Sequence, residues 1–328
     1  LAEGLPISAV HDIPQTVYLC REDEVPNGIG ADDIVLHSHE ECLRNKKAQA
    51  ENFRHIEEES NKMHAQRLLQ AVDNKYAVVN PPYPPMTSEE LDRSFDLPYT
   101  RLPHPKYKGK RIPAYEMIKF SVNLHRGCFG GCAFCTISAH QGKFIACRSK
   151  RSIVEEVKKV IEMPDFKGYL SDLGGPSANM YGMHGNNPKA CAVCKRPSCI
   201  HPQVCPNLNT DHSKLLEIYH AVDALPGIKK SFIGSGVRYE QIIPYFISSH
   251  PGCREEDMAE LAVLTKQLDF HLEQVQDFTP TPMTVSTETW YTGYDPYTLE
   301  PVFSAKTPRE KLAQRQFFFW YKPEERRA

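Results

Sequence analysis

No stretch of this 328-residue sequence stays apolar for the roughly 18 residues that a membrane-spanning helix needs. The first ten residues, LAEGLPISAV, lack a basic segment followed by an apolar core, so no signal peptide is read there. An excess of charge of either sign is lacking too, with 39 Lys and Arg against 41 Asp and Glu. The net charge of −2 excludes a global pull toward nucleic acid and leaves only local basic patches. There is no initiator methionine, which leads us to expect a piece of a longer chain. What is present is ordinary for a globular protein. Hydrophobic residues make up 41% of the chain, enough for a substantial core, and 24% of residues are charged.

Cysteine departs from this pattern. Eleven are present, an odd number for a disulfide framework, and seven fall into two tight groups, at 128–135 and 191–205. Neighbours two or three residues apart chelate metal more readily than they bridge distant segments, so the expected compartment is the reducing cytosol.

Segments around 16–21 (TVYLC) and 32–37 (DDIVLH) read as short strands. From Ser38 to about Val72 there is no Gly or Pro and helix formers dominate, which predicts one long, solvated helix. YAVVNPPYPPM reads as a strand entering a proline-rich connector, and Thr87 with Glu90 offers a capping box. Beyond residue 117 the pattern alternates. MIKFSVNL is a strand; SKRSIVEEVKKVIEM is a helix with Ile153, Val154, Val157, Val160 and Ile161 on one face; GYLSDLGG is a strand. The helix LLEIYHAVDAL, the strands KKSFIGSG and IIPYFISS, the helix EEDMAELAVLTKQL and the strand EQVQDFTP follow. Alternation of this kind predicts parallel βα units and an α/β fold, a partial (β/α) barrel with N- and C-terminal extensions. One junction is too short. Only VRYEQ separates the strand ending at Gly236 from the one beginning near Ile242, whereas parallel neighbours need a crossover of about a dozen residues. A segment is therefore expected to be missing near Glu240–Gln241.

HRGCFGGCAFCTISAHQG places Cys128, Cys132 and Cys135 in a Cys-x3-Cys-x2-Cys loop after a strand. Such a loop can wrap one corner of a four-iron cube, one thiolate per iron, and leave the fourth iron open. Glycines 127, 130 and 131 let the backbone turn tightly around it. The alternative is a zinc site with a distant fourth ligand, or plain thiols.

The loop, with Phe134 just before its last cysteine, closely resembles the radical S-adenosylmethionine (SAM) motif. The run SVNLHRGCFGGCAFCTISAHQGKFIACRSKRSI, with GYLSDLGGPSANMYG and IIPYFISSHPG, resembles the YgiQ-type radical SAM family over nearly the whole chain from about residue 75. That resemblance implies a [4Fe-4S] cluster on Cys128, Cys132 and Cys135, SAM as cosubstrate, and a 5′-deoxyadenosyl radical that abstracts hydrogen from a substrate. It also implies an electron donor such as flavodoxin or ferredoxin. By the same resemblance Phe134 lies near the adenine, and Gly174–Gly175 meet the SAM amino group. Ser235 and Arg238, in IGSGVRYE, hold the ribose and carboxylate. Pro176 stands where the family has an acidic residue, which removes that side-chain contact. The resemblance further implies a large N-terminal portion beyond this chain, and barrel sequence between the strands flanking Glu240. Methylthiotransferases also carry Gly-Lys and Arg-Ser after their cluster loops, as Gly142–Lys143 and Arg148–Ser149 do here, so methylthio transfer to RNA or protein is a second reading.

CAVCKRPSCIHPQVCP puts Cys191, Cys194, Cys199 and Cys205 within fifteen residues, enough for one tetrahedral zinc or one four-iron cube. The x2, x4, x5 spacing lacks the paired knuckles of a zinc ribbon and favours an auxiliary iron–sulfur cluster. His184, His201 and His212 are near enough in sequence to replace a cysteine. Cys20, Cys42, Cys147 and Cys253 stand singly and read as buried or incidental. His37 and His39 read as surface or capping residues rather than partners of Cys42. KYKGKRIP (106–113) and RQFFFWYKPEERR near the C-terminus could touch RNA. A solvated loop and an aromatic segment packing on the barrel are the preferred readings. A zinc-binding, RNA-interacting module without catalysis is the rival from another class. The expected organisation is an extension over residues 1–110, a radical SAM barrel over 111–288 with a cysteine-rich insertion at 184–212, and a covering segment over 289–328.

Overall fold

The structure is a computed structural model that describes residue 4 and residues 6–231, 245–272 and 275–323. The N-terminal part is built on a four-stranded sheet of β1 (Val17–Cys20), β2 (Ile34–Leu36), β3 (Leu68–Val72) and β4 (Lys75–Val79), in the order β1-β4-β3-β2. β4 runs antiparallel to both β1 and β3, while β2 and β3 are parallel. Leu69 faces Val78 across the β3–β4 ladder, and both are fully buried. Burying two such side chains contributes about 1.5–3 kcal/mol each.

The long helix expected from Ser38 to Val72 does not form as one piece. It is α1 (His39–Arg44) and α2 (Lys46–Ser60), broken at Asn45, whose backbone is extended. The Asn45 carboxamide accepts from the Lys47 and Ala48 amides at 3.1 and 3.3 Å, a local cap that competes with helix continuation. Past Ser60 the chain turns, and Leu68–Val72 joins the sheet because a tight Asp73–Asn74 hairpin, with Asp73 at φ +52°, folds it onto β4. The capping box on α3 (Ser88–Phe95) is present as expected, with Thr87 and Glu90 exchanging hydrogen bonds.

The central part opens with α4 (Pro113–Ile118), where a strand was expected from residue 117; Pro113 at the first helical position sets the helical φ there. The strand proper is β5 (Ser121–Asn123), followed by β6 (His125–Arg126), α5 (Ile137–Gln141), β7 (Ala146–Cys147) and α6 (Lys150–Ile161). GYLSDLGG forms β8 (Tyr169–Leu170) and β9 (Asp172–Gly174), which change neighbour at Ser171. After α7 (Pro188–Ala192) and α8 (Ser213–Asp223) comes β10 (Lys230–Ser231). β9 pairs parallel with β5, and β8 pairs parallel with β10. Helices α6 and α8 bury Ile153, Val157, Val160, Ile218 and Val222 against Val122, Leu124, Leu170 and Leu173 of this parallel layer.

A further βαβ unit runs from β11 (Ile247–Ser248) through α9 (Glu255–Gln267) to the parallel β12 (Gln276–Asp277). Then come α10 (Val285–Thr292) and α11 (Pro308–Gln316), neither of which the strand–helix alternation foresaw. The aromatic run after α11 buries Phe318 and Phe319 with Met258 of α9. The architecture is thus mixed α/β, and among the described residues the strands do not close into a barrel.

Candidate functional site

Strand β5 ends beside the end of β9, with Asn123 opposite Gly174 and the Leu124 amide donating to the Gly174 carbonyl at 2.8 Å. The antiparallel pair β6–β7 then clamps the two ends of the loop that carries the three cysteines. Two glycines of that loop are obligatory. Gly127 has φ +91°, and a β-carbon on it would stand 2.2 Å from the Phe144 carbonyl oxygen. Gly131 has φ +62°, and its β-carbon would stand 2.3 Å from the Pro197 carbonyl oxygen. Gly130 does a different job. Its missing side chain leaves room between two sulfurs, 3.3 Å to Cys128 Sγ and 3.8 Å to Cys132 Sγ from where a β-carbon would be. The Gly130 amide also donates to Cys128 Sγ at 3.4 Å.

Cys128 is buried, Cys135 half-buried and Cys132 exposed, and Phe134 is 44% exposed beside them. The loop therefore has a protein side and an open side. Burial pushes the Cys128 and Cys132 thiols above their ordinary pKa, and the neighbouring thiols add to the rise. Left to itself the loop keeps these protons, and a bound metal would displace them.

The paired glycines sit on the other side of β5. A β-carbon on Gly175 would stand 2.0 Å from His125 Nε2, so the imidazole occupies the place where a side chain would begin. His125 is fully buried, and burial holds it below its ordinary pKa and neutral. Its Nε2 accepts from the Met180 amide at 3.1 Å, which leaves the proton on Nδ1. Near Gly174–Gly175, Nδ1 of His125, Oδ1 of Asn123 and Oδ1 of Asn179 are buried without a close hydrogen-bond partner, although the Arg126 and Ala178 backbones also act on the His125 ring. Buried polar atoms are nearly always paired, so these groups are open to a polar ligand or water. Sequence reasoning did not single out His125 or Asn179, and only their nearness to the cysteine loop and the glycine pair could have done so.

The second cysteine group abuts the first. The Cys199 amide donates to the Phe129 carbonyl at 3.0 Å, and Cys128 and Cys199 belong to one apolar cluster with Phe129, Met180 and Met183. Within the group, the Cys205 amide donates to the Cys199 carbonyl at 2.8 Å and the Cys194 amide to the Cys191 carbonyl at 3.1 Å. Burial raises the pKa of Cys191 and Cys199, and each also feels the charge of the other cysteines in the group. Lys143, which the sequence offered only as half of a Gly-Lys pair, is 5% exposed, and its Nζ is 3.9 Å from Cys194 Sγ. It also donates to the Arg196 carbonyl. His184 Nδ1 bonds the Gly182 carbonyl at 2.9 Å, within its own turn.

Among the described residues, no three His, Cys, Asp or Glu side chains converge tightly enough to hold a single metal ion. A four-iron cube asks for less convergence, because each thiolate meets a different iron. Ser235 and Arg238 lie outside the described residues. His37 is paired with Glu51 at 2.7 Å and Glu41 at 3.2 Å rather than with Cys42. Arg148 is fully buried, donating to Glu156, to Ser152 and to the Asn123 carbonyl, and Ser149 caps α6. Both thus have structural work that accounts for them. The C-terminal part also reaches the loop, since the Ser286 amide donates to the Ala133 carbonyl at 2.8 Å.

The family model described as "Radical SAM N-terminal" matches residues 1–121, and a domain of unknown function (DUF3362) matches residues 273–326. A UPF0313 protein of Bacteroides thetaiotaomicron is 64% identical over 96% of this chain and 62% of its own length. A UPF0313 protein of Porphyromonas gingivalis is 53% identical over 99% of this chain and 62% of its own. The UPF0313 protein YgiQ of Escherichia coli K12 is 36% identical over 88% of this chain and 48% of its own. The chain thus spans about half to two thirds of the length of these relatives. The first alignment uses 387 positions to hold 96% of 328 residues, about 315, so some 70 positions of the relative have no counterpart here.

Proposed function

The chain belongs to the YgiQ-type radical SAM family, and we propose that it binds a four-iron cluster through Cys128, Cys132 and Cys135 and uses it with SAM to begin a hydrogen abstraction. When bound, that cluster and SAM together supply a 5′-deoxyadenosyl radical. The observation that carries the reading is the pairing of an open three-thiol loop with orphaned polar atoms at the Gly174–Gly175 strand end.

In this reading the chain's own residues bind and orient. Gly130 keeps the space between two sulfurs clear and donates to one of them. Gly175 makes room for the His125 imidazole, whose Nδ1–H offers a donor, while the Asn123 and Asn179 oxygens offer acceptors. Phe134, 44% exposed, is available to an adenine ring, as the family resemblance implies. Burial of Leu124, His125 and Cys128 keeps the inner side of the loop dry. The barrel that the family fold would complete, and the roles of Ser235 and Arg238, belong to the same proposal. So does the division at residues 1–110, 111–288 and 289–328. The roughly 70 positions of the relative without a counterpart here support the omission expected near Glu240–Gln241. No helix of the described residues is long and apolar enough to cross a membrane. Delivery of the electron by a flavodoxin or ferredoxin in the cytoplasm is proposed with the activity.

The test is spectroscopic. Anaerobically reconstituted, reduced protein should show a paramagnetic four-iron signal that changes on adding SAM, because the open iron gains a ligand. A signal indifferent to SAM would contradict the reading.

A further inference from the structure

We propose that Cys191, Cys194, Cys199 and Cys205 hold a second iron–sulfur cluster, complete in its own four thiolates and seated against the first loop, with Lys143 as its buried counter-charge. The argument starts from Lys143. An ammonium that is 5% exposed is costly unless an anion compensates it. Among the described residues no carboxylate lies within 4 Å of Lys143; it donates to the Arg196 carbonyl, has the sulfur of Cys194 3.9 Å away, and its charge is felt by Cys191, Cys199 and the buried Glu57. A centre carried by four thiolates is anionic and would add its charge beside that ammonium.

The backbone supports the same conclusion. Hydrogen bonds tie Cys205 to Cys199 and Cys194 to Cys191, the Asn186 amide donates to the Asn207 carbonyl at 2.8 Å, and Cys199 feels the charge of the other three cysteines. Asn207 Nδ2 donates to Cys191 Sγ at 3.2 Å, the kind of hydrogen bond to sulfur that tunes a cluster. Gly185 makes room for that sulfur, since a β-carbon there would stand 2.2 Å from it. One tetrahedral zinc would draw its four sulfurs to within about 4 Å of one another, given Zn–S distances near 2.3 Å. Four free thiols, a buried cation and a donor already on a sulfur fit an anionic centre held by the four thiolates, and the x2, x4, x5 spacing, without the paired knuckles of a zinc ribbon, favours an iron–sulfur cluster over zinc.

This second site does not depend on the reading of the first loop, and the experiment separates the two. The full chain is reconstituted anaerobically with ferrous iron and sulfide, and iron, zinc and labile sulfide are counted per chain. Two cubes predict about eight irons. Replacing Cys128, Cys132 and Cys135 by Ala should leave about four, and a further Cys194→Ala with Cys199→Ala should remove those. Lys143→Met should lower iron retained on the second site at least twofold after desalting in the background lacking the first loop, and Lys143→Arg should restore it. Four irons in the intact chain, all lost with the first loop, would overturn the proposal. So would one zinc per chain held by the second group.

Discussion

The Cys199 amide donates to the Phe129 carbonyl at 3.0 Å, so a residue of the second cysteine group is hydrogen-bonded to the loop that carries the first. The contact is reinforced one turn along the loop, where Gly131 lies against Pro197. Separate in sequence by some sixty residues, the two groups are one packed unit.

That packing predicts the behaviour of Gly131→Ala. The new methyl meets a carbonyl oxygen at 2.3 Å in a left-handed backbone that costs a non-glycine residue about 1–3 kcal/mol on its own. Chemical denaturation should show at least ~1 kcal/mol of lost stability, with faster oxidation of the Cys128 and Cys199 thiols. An unchanged midpoint would mean that the loop and the 197–198 segment do not pack as described.

A similar argument holds for Gly175. Gly175→Ala pushes a methyl into His125 Nε2, 2.0 Å away, and should weaken SAM binding at least tenfold while iron content is kept. Adding His125→Ala should restore none of the affinity, because it removes the proposed donor and leaves the Ala178 carbonyl 2.9 Å from the new methyl. Calorimetry on reconstituted protein reads both variants, and a double variant that binds SAM as the intact protein does would contradict the role given to His125.

Glu288 gives a pH prediction away from the cysteines. Burial pushes its carboxyl from 4.5 up to about 7, although Gln49 donates to it at 3.3 Å. The folded state then binds this proton more tightly than the unfolded one between those values. Its contribution to stability is full below about pH 4.5 and is lost as pH rises through 7, by about 3 kcal/mol in all. Glu288→Gln should flatten that fall in denaturation midpoints measured from pH 5 to 8. Parallel curves for the two proteins would refute it.

Much of the site was legible in the sequence because cysteine spacing is local. Cys128, Cys132 and Cys135, and the four cysteines from 191 to 205, need no tertiary knowledge to be grouped. Their nearness to each other does, since Phe129 and Cys199 meet only through the fold. His125 and Asn179 were illegible for the same reason: nothing local separates a buried orphan from a satisfied core polar residue. The helix read through Leu68–Val72 failed because helix-forming composition there is overruled by pairing with β4. The Asp73–Asn74 turn that folds the hairpin was in plain view. Helices α10 and α11 carried their own start signals, Thr284 and the Thr307–Glu310 capping box, but lay beyond the strand–helix alternation being followed.

The central claim is that the three-thiol loop makes this chain a radical-generating enzyme, and one assay tests it most directly. Reconstituted protein with strong reductant and SAM should release 5′-deoxyadenosine. Cys132→Ala should abolish that release; Cys132 is exposed, so the substitution should change stability by no more than about 0.5 kcal/mol. Undiminished 5′-deoxyadenosine from the Cys132→Ala protein, or none from the intact protein once its four-iron cluster is assembled, would contradict the account.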